Sequence, residues 1–436
     1  MFSRYISDQP TVTGDGKGGG KMMNVDTFCA ELGLDRTFRE EIAPVWDALT
    51  EDWDGQTPFF LAEDFFQENY PGCGGPETEE LLPRVRQVLA TVRDLPAAAL
   101  LGHILHKSSF LSTPAVTLKS LPEELPCFGE DTGLFALLVS LGAIPLMVEA
   151  CETREIPAEY AYAAKKWIGG TMIQYATAHD GAPGRAMQFS WIRNYVDGKL
   201  FRIGRLEFLM HPCPDWLPAV YRNAEGRLGV LCRDGWGFRA DGSRTEDPTL
   251  VTRRTRLKSD GTTLTGTPVD PDGTVGFDRE LTLDLREWIP LVSPWDLCPS
   301  IHIPGGEPMP FEAVKSSLMQ AKGFFQRYFG RHVPLFCCAS WILNPVWEEL
   351  MPRSNMAAFR RECYALCSLY WGPSAGMAFL FGRKDVSPLE LPACNTAQQA
   401  FQQAFRENRI VAGSLLVATD DVEKLGNEYY RRQGNG

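Results

Sequence analysis

Apolar residues recur at helical spacing over the first part of the chain, roughly residues 24–179. The clearest segment is 78–95, where the apolar positions follow a period of 3.6 residues. These positions are Leu81, Leu82, Val85, Val88, Leu89 and Val92. Pro96 follows at once, and proline is favoured in the first turn of a helix, so the pattern predicts a second helix through His106.

Several other helices are expected in this part. Asp26 and Asp35 are residues of the type that caps helix N-termini, and each precedes a short apolar run. Residues 132–151 are apolar almost all round, which predicts a helix at the centre of the domain. Pro157 is suited to open a further helix running to about His179. The first part of the chain is therefore predicted to be a helical domain.

The spacing changes to the period of two typical of strands after residue 190. Residues 191–210 predict two strands joined at Asp197-Gly198, a dipeptide that favours two-residue hairpin turns. Further short runs follow over 220–285, separated by Glu225-Gly226, Asp241-Gly242, Asp260-Gly261 and Asp272-Gly273. We expect this segment to be a β-rich insertion of antiparallel strands.

From Trp288 onward, strands and helices alternate. The predicted strands are 297–303, 335–343, 376–381 and 410–417, and the predicted helices are 311–329, 346–350, 354–370 and 396–407. Such alternation is typical of α/β or α+β architecture. Together with the helical first part, it predicts an α+β fold in which a helical domain precedes a mixed α/β sheet domain.

Length and charge limit the organisation and the classes of partner. With 436 residues, of which 44% are apolar, the chain is long enough for two domains with packed cores. We place a glycine-rich flexible lead-in at 1–22, the helical domain at 23–156 and the sheet domain at 157–425, with the insertion at 220–285. The formal net charge of −12 argues against broad binding to nucleic acid or anionic membranes, which requires clustered Lys and Arg.

Twelve cysteines occur without one CxxC pair. Structural zinc sites usually use closely spaced pairs, so we expect no metal site and reduced, mostly buried thiols. We see no positively charged leader, and the longest apolar stretch, residues 134–147, is too short to span a bilayer. The sequence therefore predicts a cytoplasmic protein.

Residues 301–311 combine the end of a strand, a Pro-Gly-Gly turn and the start of a helix. Such a segment aims backbone N–H groups and the positive end of a helix at an anion, and Gly305 and Gly306 allow close approach to the backbone. It is a candidate cradle for the pyrophosphate of a nucleotide or of coenzyme A. The alternative is an ordinary turn before a helix, which Glu307 favours because a carboxylate repels phosphate.

Four side chains are candidates for chemistry near this segment. His302 is suited to act as a general base, or it is a half-buried, hydrogen-bonded histidine. Glu207 can deprotonate an amine, or it can form a cross-strand ion pair with an arginine. Ser340 can donate a hydrogen bond to a thioester. Cys338 is a candidate nucleophile, with an inert buried thiol as the alternative.

Several segments also occur together in an order that spans roughly residues 25–420. They are Asp131-Thr132-Gly133-Leu134-Phe135, Ile156-Pro157, Trp191-Ile192, residues 198–208, Ile301-His302-Ile303-Pro304 with Gly306 and Pro308, Ser340-Trp341-Ile342-Leu343 and Ser354-Asn355. In these the chain resembles a bacterial acyltransferase family with a helical N-acyltransferase N-terminal domain and a GNAT-like C-terminal domain. The family often has histidine where Tyr195 and Ala339 stand, and aspartate where Asn344 stands.

The resemblance gives residues 297–343 a specific meaning. A GNAT-like fold binds the pyrophosphate of acyl-CoA where a central strand splays from its neighbour and a helix begins. The resemblance therefore implies that 297–329 is the cofactor half and that 335–343 is the splayed neighbour. It implies an acyl-CoA contact surface formed by Ile303, Gly305, Gly306, Met309 and Trp341, and it makes Glu207, His302 and Ser340 the catalytic candidates.

The expected function is acyl transfer from acetyl-CoA or another acyl-CoA to an amine of a small molecule or peptide. The alternative is a non-catalytic GNAT-like protein that senses a ligand or binds a partner, which the insertion and the departures at Tyr195, Ala339 and Asn344 favour. A third hypothesis is a cysteine-dependent hydrolase or acyl carrier that uses Cys338. The acceptor, the acyl-chain length and the oligomeric state are left open.

Overall fold

The computed structural model describes residues 23–111, 118–119, 121–383 and 385–433, so the lead-in predicted at 1–22 lies outside the described residues. Contacts divide the chain into two units, Met1–Gly198 and Lys199–Gly436. Within the described residues, the first unit is helical and the strands belong to the second. The predicted α+β fold is confirmed.

Eleven α-helices form the described part of the first unit. They are α1 (Val25–Leu32), α2 (Arg36–Ile42), α3 (Trp46–Thr50), α4 (Glu63–Asn69), α5 (Thr78–Asp94), α6 (Pro96–His106), α7 (Thr132–Leu141), α8 (Ile144–Glu152), α9 (Glu159–Ala163), α10 (Lys165–Ala178) and α11 (Ser190–Val196). The predicted helices at 78–95 and 96–106 are confirmed as α5 and α6. Asp35 caps α2, as predicted, by accepting a hydrogen bond from the Phe38 N–H at 2.8 Å. The predicted cap at Asp26 is wrong, because Asn24 accepts from the Thr27 N–H and α1 begins earlier.

The core of the first unit is built around α7, all of whose residues are buried. The helix predicted at 132–151 is interrupted at Gly142 and Ala143, and it continues as α8. α4, α5, α6 and α10 all contact α7. The buried stripe of α5 consists of Leu81, Val85, Val88 and Val92, the spacing that the sequence predicted. Helices with a single apolar face therefore surround one that is apolar all round.

The stretch Gly129–Glu152, which contains α7 and α8, is long and apolar enough to cross a membrane by length and composition. Within the structure, 83% of its apolar window is buried. The α5–α6 pair meets the same criteria only when its two helices, bent by 106°, count as one span. Buried core helices pass this test as readily as membrane spans do, so the observation is weak evidence for a membrane.

Three helices that the sequence assigned to the second domain belong to the first unit by their contacts. α9 and α11 contact α8, and α10 contacts α7, so the boundary predicted between 156 and 157 falls inside this unit. The strand predicted from Trp191 is wrong, since α11 occupies Ser190–Val196. Gly198 takes φ +63°, and its N–H donates to the Tyr195 carbonyl at 3.0 Å. Left-handed glycines both end helices and turn hairpins, so Asp197-Gly198 was ambiguous locally.

The described residues of the second unit contain fourteen strands. They are β1 (Leu200–Ile203), β2 (Leu206–Leu209), β3 (Ala219–Arg222), β4 (Leu228–Leu231), β5 (Gly237–Phe238), β6 (Arg253–Arg254), β7 (Leu257–Ser259), β8 (Thr263–Gly266), β9 (Leu281–Asp284), β10 (Ile289–Pro290), β11 (Ser300–His302), β12 (Leu335–Ser340), β13 (Tyr364–Leu369) and β14 (Ala412–Ala418). Six of them form the main sheet in the order β1-β2-β11-β12-β14-β13. β11 and β12 are parallel, and the other neighbours are antiparallel.

The segment predicted as a β-rich insertion forms small antiparallel sheets, in the orders β10-β3-β4, β5-β6 and β7-β8-β9. Glycines occupy left-handed backbone positions at the four predicted turns, with φ between +82° and +90°; they are Gly226, Gly242, Gly261 and Gly273. These φ values are unfavourable for residues that carry a Cβ. The turn signals in the sequence were therefore sufficient to place these turns.

Six α-helices in the described part of the second unit accompany its sheets. They are α12 (Phe311–Phe329), α13 (Val346–Leu350), α14 (Asn355–Glu362), α15 (Met377–Phe381), α16 (Thr396–Arg406) and α17 (Tyr429–Gln433). α12 has the predicted bounds and contacts β1 and β2. Aromatic pairs make this contact, with ring centroids 4.9 Å apart for Phe201 and Phe324 and 6.3 Å apart for Phe208 and Phe325.

Two predicted elements of the second unit are wrong. The helix expected over 354–370 ends at Glu362, and residues 364–369 form β13, which pairs with β14. The strand expected at 376–381 is α15, which follows Gly376 at φ +93°. Both segments are short apolar runs, and periodicity alone does not separate strand from helix in such runs. Pairing with β14, a strand distant in sequence, decides the conformation of β13.

Candidate functional site

Three polar side chains lie side by side across β1, β2 and β11. Glu207 on β2 is the direct partner of Arg202 on β1 and of His302 on β11. Directly paired residues in antiparallel strands point to the same face, so these three side chains form one row, called here the Arg202–Glu207–His302 row. Arg202 is 3% exposed and Glu207 is 1% exposed. The structure thus brings two predicted catalytic residues, Glu207 and His302, onto adjacent positions.

The environment of His302 keeps its ring uncharged at neutral pH. Burial, with a smaller contribution from the charge of His211, lowers the pKa of His302 to about 4. Its Nε2 lies 2.9 Å from the Ser300 Oγ, which is on the same face two residues earlier. The neutral imidazole has a free lone pair for a proton, and its low pKa makes it a weak base.

β11 and β12 separate at the end of β11. Within the described residues, their register consists of Ser300 opposite Cys337, and the Cys337 N–H donates to the Pro299 carbonyl at 3.2 Å. β12 meanwhile stays paired with β14 as far as Ser340. An opening therefore lies between residues 301–303 and 338–340, at the position where the resemblance implied splayed strands.

The loop of residues 303–309, called here the amide loop, connects β11 to α12. Gly305 and Gly306 are exposed, Gly306 has φ +84°, and a Cβ at Gly305 would have no heavy atom within 4 Å. The N–H groups of Gly305, Gly306 and Met309 donate to no backbone carbonyl among the described residues. α12, which is 19 residues long, begins at Phe311 directly after this loop. The arrangement suits an anionic group that accepts several hydrogen bonds.

Glu307, the acidic residue of the amide loop, is neutralised by an arginine of the row. The Arg202 Nη2 lies 2.8 Å from the Glu307 Oε2, and the arginine side chain is almost completely buried. The pair removes the objection that the sequence raised against anion binding at this loop, because the carboxylate already has a counter-charge. Arg202 thus lies opposite Glu207 in the sheet and also binds Glu307 of the amide loop.

Ser340 and Trp341 lie at the end of β12, across the opening from β11. The Ser340 Oγ accepts a hydrogen bond from the Ile342 N–H at 3.3 Å and so caps the short 3-10 helix Trp341–Leu343. The Trp341 ring packs against Gly376 and lies parallel to the Phe379 ring, with centroids 6.3 Å apart. Ser340 therefore has a structural role, and its hydroxyl hydrogen is not used by that bond.

The three positions that differ from the family pattern are structurally ordinary. The Asn344 side chain accepts from the Val346 N–H at 3.1 Å and donates to the Arg409 carbonyl at 2.9 Å. Ala339 is paired with Ser414 in the sheet. Tyr195 is a buried residue of α11 in the first unit. The contacts of Asn344 and Ala339 explain how these two replacements are accommodated in the fold.

The thiols offer little chemistry. All twelve cysteines are free in the structure, and nine of them are buried, which confirms the expectation that the thiols are mostly buried. Burial raises the pKa of Cys338 to about 12, so its reactive thiolate form is scarce at neutral pH. Cys338 is therefore a poor nucleophile. In the part of the chain that the structure describes, no group of three or more His, Cys, Asp and Glu side chains is placed to hold a metal ion.

Sequence reasoning missed three residues of this site: Arg202, Arg205 and Ser300. Ser300 had a signal, since residues two apart on a strand share a face and His302 was already a candidate. The signal in the sequence was weaker for Arg202 and Arg205, because the groups that accept their hydrogen bonds lie about a hundred positions away, near residues 304–308. Only the pairing of β2 with β11 brings the two segments together.

Comparisons with known proteins agree with this architecture. Residues 200–414 match the family described as GNAT-like C-terminal domain. No curated protein sequence matches the chain. Solved structures of similar fold include an acyltransferase in complex with decanoyl-CoA and teicoplanin, which is 19% identical and has a TM-score of 0.57 over 91% of this chain and 100% of the other.

Two further structures give the same picture. An acyltransferase with CoA and 10C-teicoplanin is 19% identical, with a TM-score of 0.57 over 91% of this chain and 100% of that one. A mutant acyltransferase with octanoyl-CoA is 18% identical, with a TM-score of 0.56 over 91% and 99% of the two chains. At these identities the likeness establishes the fold. Residues 200–414 are thus a GNAT-like C-terminal domain, and a helical region precedes them in a chain whose fold is similar to these structures.

Proposed function

We propose that this protein transfers an acyl group from acyl-CoA to an amine of a small molecule or peptide. The observation that carries the proposal is the position of the amide loop. Its unpaired N–H groups lie at the entrance of the opening between β11 and β12. His302, which belongs to the Arg202–Glu207–His302 row, directly precedes the loop. An anion site and a proton acceptor are therefore adjacent in the same unit.

The amide loop is suited to the pyrophosphate of CoA. The N–H groups of Gly305, Gly306 and Met309 would donate to its oxygens, and the positive end of α12 would add to the attraction. The pantetheine arm would then enter the opening between β11 and β12 beside Ile303. Peptide groups that lack a strand partner there would bind the arm and polarise the thioester carbonyl.

The row supplies the groups that would handle the proton. The amine nitrogen attacks the thioester carbonyl carbon, a C–N bond forms, and the C–S bond breaks to release CoA as a thiolate. The proton lost by the amine passes to His302 or Glu207, directly or through water, and then to the thiolate. Burial lowers the pKa of His302 to about 4, so the ring is neutral but weakly basic and would hand the proton on to the thiolate at once.

Exposed aromatic side chains support an acyl group longer than acetyl. Phe379 is 65% exposed and Trp371 is 55% exposed, and Phe379 lies parallel to Trp341 at the end of β12. An apolar chain leaving the thioester would bury this surface. The similar structures contain octanoyl-CoA and decanoyl-CoA, and two contain teicoplanin or 10C-teicoplanin, which supports a medium-length acyl donor and a peptide-like acceptor. The cytoplasmic location stays a prediction.

Isothermal titration of the full chain with CoA, acetyl-CoA, octanoyl-CoA and decanoyl-CoA tests the binding half. We expect micromolar affinity for CoA and tighter binding of the medium-chain donors. Turnover would then be followed by mass spectrometry with a panel of amines. Both Glu207→Gln and His302→Gln should retain CoA affinity. Whichever of the two residues accepts the proton, its variant should lose at least about 100-fold in turnover. Glu280→Gln and His332→Gln, at exposed positions, are the matched controls.

Each outcome is informative. No heat with any CoA compound at millimolar concentration would show that the acyl-CoA proposal is wrong. Binding without turnover of any amine would favour the non-catalytic ligand-sensing alternative. Turnover that survives both substitutions would show that neither Glu207 nor His302 accepts the proton. Acyl transfer would then remain the proposed function.

A further inference from the structure

The turn between β1 and β2 reaches into the space between the amide loop and α12. Gly204 and Arg205 form this turn, and Gly204 has φ +62°. The Arg205 N–H donates to the Ser317 Oγ of α12 at 2.8 Å. This bond fixes the turn against the helix and sets the direction in which the Arg205 side chain leaves it.

The Arg205 guanidinium holds three carbonyl groups of the amide loop. Its Nε donates to the Pro308 carbonyl at 2.9 Å, and its Nη2 donates to the carbonyls of Pro304 and Glu307, each at 2.7 Å. The side chain is 8% exposed, so water competes little for these bonds. Charge-assisted bonds of this kind are about twice as strong as neutral ones.

The planarity of the peptide bond links these carbonyls to the neighbouring N–H groups. In a trans peptide the C=O and the following N–H point in opposite directions, and the described residues contain no cis peptide. Because the Pro304 carbonyl faces Arg205, the N–H of Gly305 points away from the arginine. The Pro308 carbonyl likewise turns the N–H of Met309 away. Arg205 therefore determines where two of the unpaired donors of the loop point.

We propose that Arg205 is the positioning residue of the CoA pyrophosphate site, which it serves by orienting the amide loop and without touching the ligand. The proposal rests on the proposed function, since it takes the loop to be the pyrophosphate site. Lysine cannot replace arginine in this role, because a single ammonium lacks the planar fork that reaches separate carbonyls. Arg202 assists by holding the Glu307 carboxylate.

The test compares two donors, octanoyl-CoA and octanoyl-pantetheine, with the full-length wild type, Arg205→Lys and Arg233→Lys. Octanoyl-pantetheine lacks the pyrophosphate. Arg233 is the control because its Nε makes one bond, 2.8 Å to the Leu217 carbonyl, outside the loop. In Arg205→Lys we expect the KM for octanoyl-CoA to rise at least tenfold, with kcat within threefold and the KM for octanoyl-pantetheine unchanged. Arg233→Lys should leave all three values within twofold.

Ser317→Ala is a milder variant that removes only the bond to the Arg205 N–H, and it guards against misfolding of Arg205→Lys. It should raise the Kd of CoA two- to fivefold, and hydrogen exchange at residues 303–309 should be faster in both variants than in the wild type. A folded Arg205→Lys protein that binds CoA with wild-type affinity would overturn the positioning role. Equal losses for octanoyl-CoA and octanoyl-pantetheine would also overturn it. A wild type that binds no CoA would instead refute the proposed function.

Discussion

The contact between the β1–β2 turn and α12 depends on the absence of a side chain at Gly204. A Cβ there would lie 2.6 Å from the Ser317 Oγ. That oxygen is already engaged, because it accepts from the Arg205 N–H and donates to the Ala313 carbonyl at 2.8 Å. Any side chain at position 204 would therefore displace the group that anchors Arg205, the residue on which the orientation of the amide loop depends.

Gly204→Ala should lower the free energy of unfolding by about 2–3 kcal/mol, since the new Cβ adds a clash to the strain of a left-handed backbone. Gly330→Ala is the matched control. Gly330 has φ +57° and a Cβ there meets open space, so only the strain of about 1 kcal/mol applies. Urea unfolding of both variants gives the difference. Equal losses at the two positions would contradict a specific clash with Ser317.

At the scale of the element, α12 links the hydrophobic core to the candidate site. Its buried residues include Val314, Leu318, Ala321 and Phe325, which lie three or four positions apart and form one stripe. Its N-terminus follows Pro310, and no side chain caps it. The first N–H groups of the helix therefore have no capping partner of this kind, as is common where a helix end receives an anion. Packing of the stripe fixes the helix end to which the amide loop is attached.

Truncation of two adjacent residues of α12 should lower the free energy of unfolding by very different amounts. Leu318 is fully buried, whereas Met319 is 37% exposed. Leu318→Ala should cost about 3 kcal/mol of unfolding free energy, because it removes buried methyl groups and leaves a cavity. Met319→Ala should cost less than about 1 kcal/mol. Chemical denaturation measures both, and similar costs would mean that the helix does not present the face seen in the structure.

At the scale of the whole molecule, each unit carries a histidine that folding keeps uncharged. Burial lowers the pKa of His106 and of His302 to about 4, against an ordinary value of 6.5. His106 is 7% exposed, and its Nε2 lies 3.0 Å from the Gly142 carbonyl. The unfolded chain binds a proton at these positions more readily than the folded protein does, so acid favours unfolding.

The stability contributed by each of these histidines should be complete above pH 6.5 and fall as the pH drops to about 4, by about 3 kcal/mol per residue. His106→Gln should remove part of this dependence. Between pH 6.5 and 4.5, the variant should lose about 1 kcal/mol less per pH unit than the wild type. His332→Gln, at an exposed position, should follow the wild type. A slope unchanged by His106→Gln would contradict burial of the neutral ring.

The sequence predicted well those elements whose signals are local. α5 and α12 have apolar stripes of the correct period, and α6 begins at a proline. The four turns at 220–285 have glycines where a positive φ is needed. It failed at α11, β13 and α15, which are short apolar segments with no distinctive period. Their conformations depend on the elements against which they pack or pair, and this information is not local.

The sequence by itself determined the composition of the candidate site: a histidine and a glutamate in strands, and a Gly-Gly turn before a long helix. The tertiary structure decided how these parts combine. The pairing of β2 with β11 sets Glu207 beside His302, and the β1–β2 turn brings Arg205 to the amide loop. In the sequence, the carboxylate of Glu307 argued against an anion site. In the structure, Arg202 supplies the counter-charge of that carboxylate. Register between distant strands fixes these contacts, and register follows from the packing of the whole sheet.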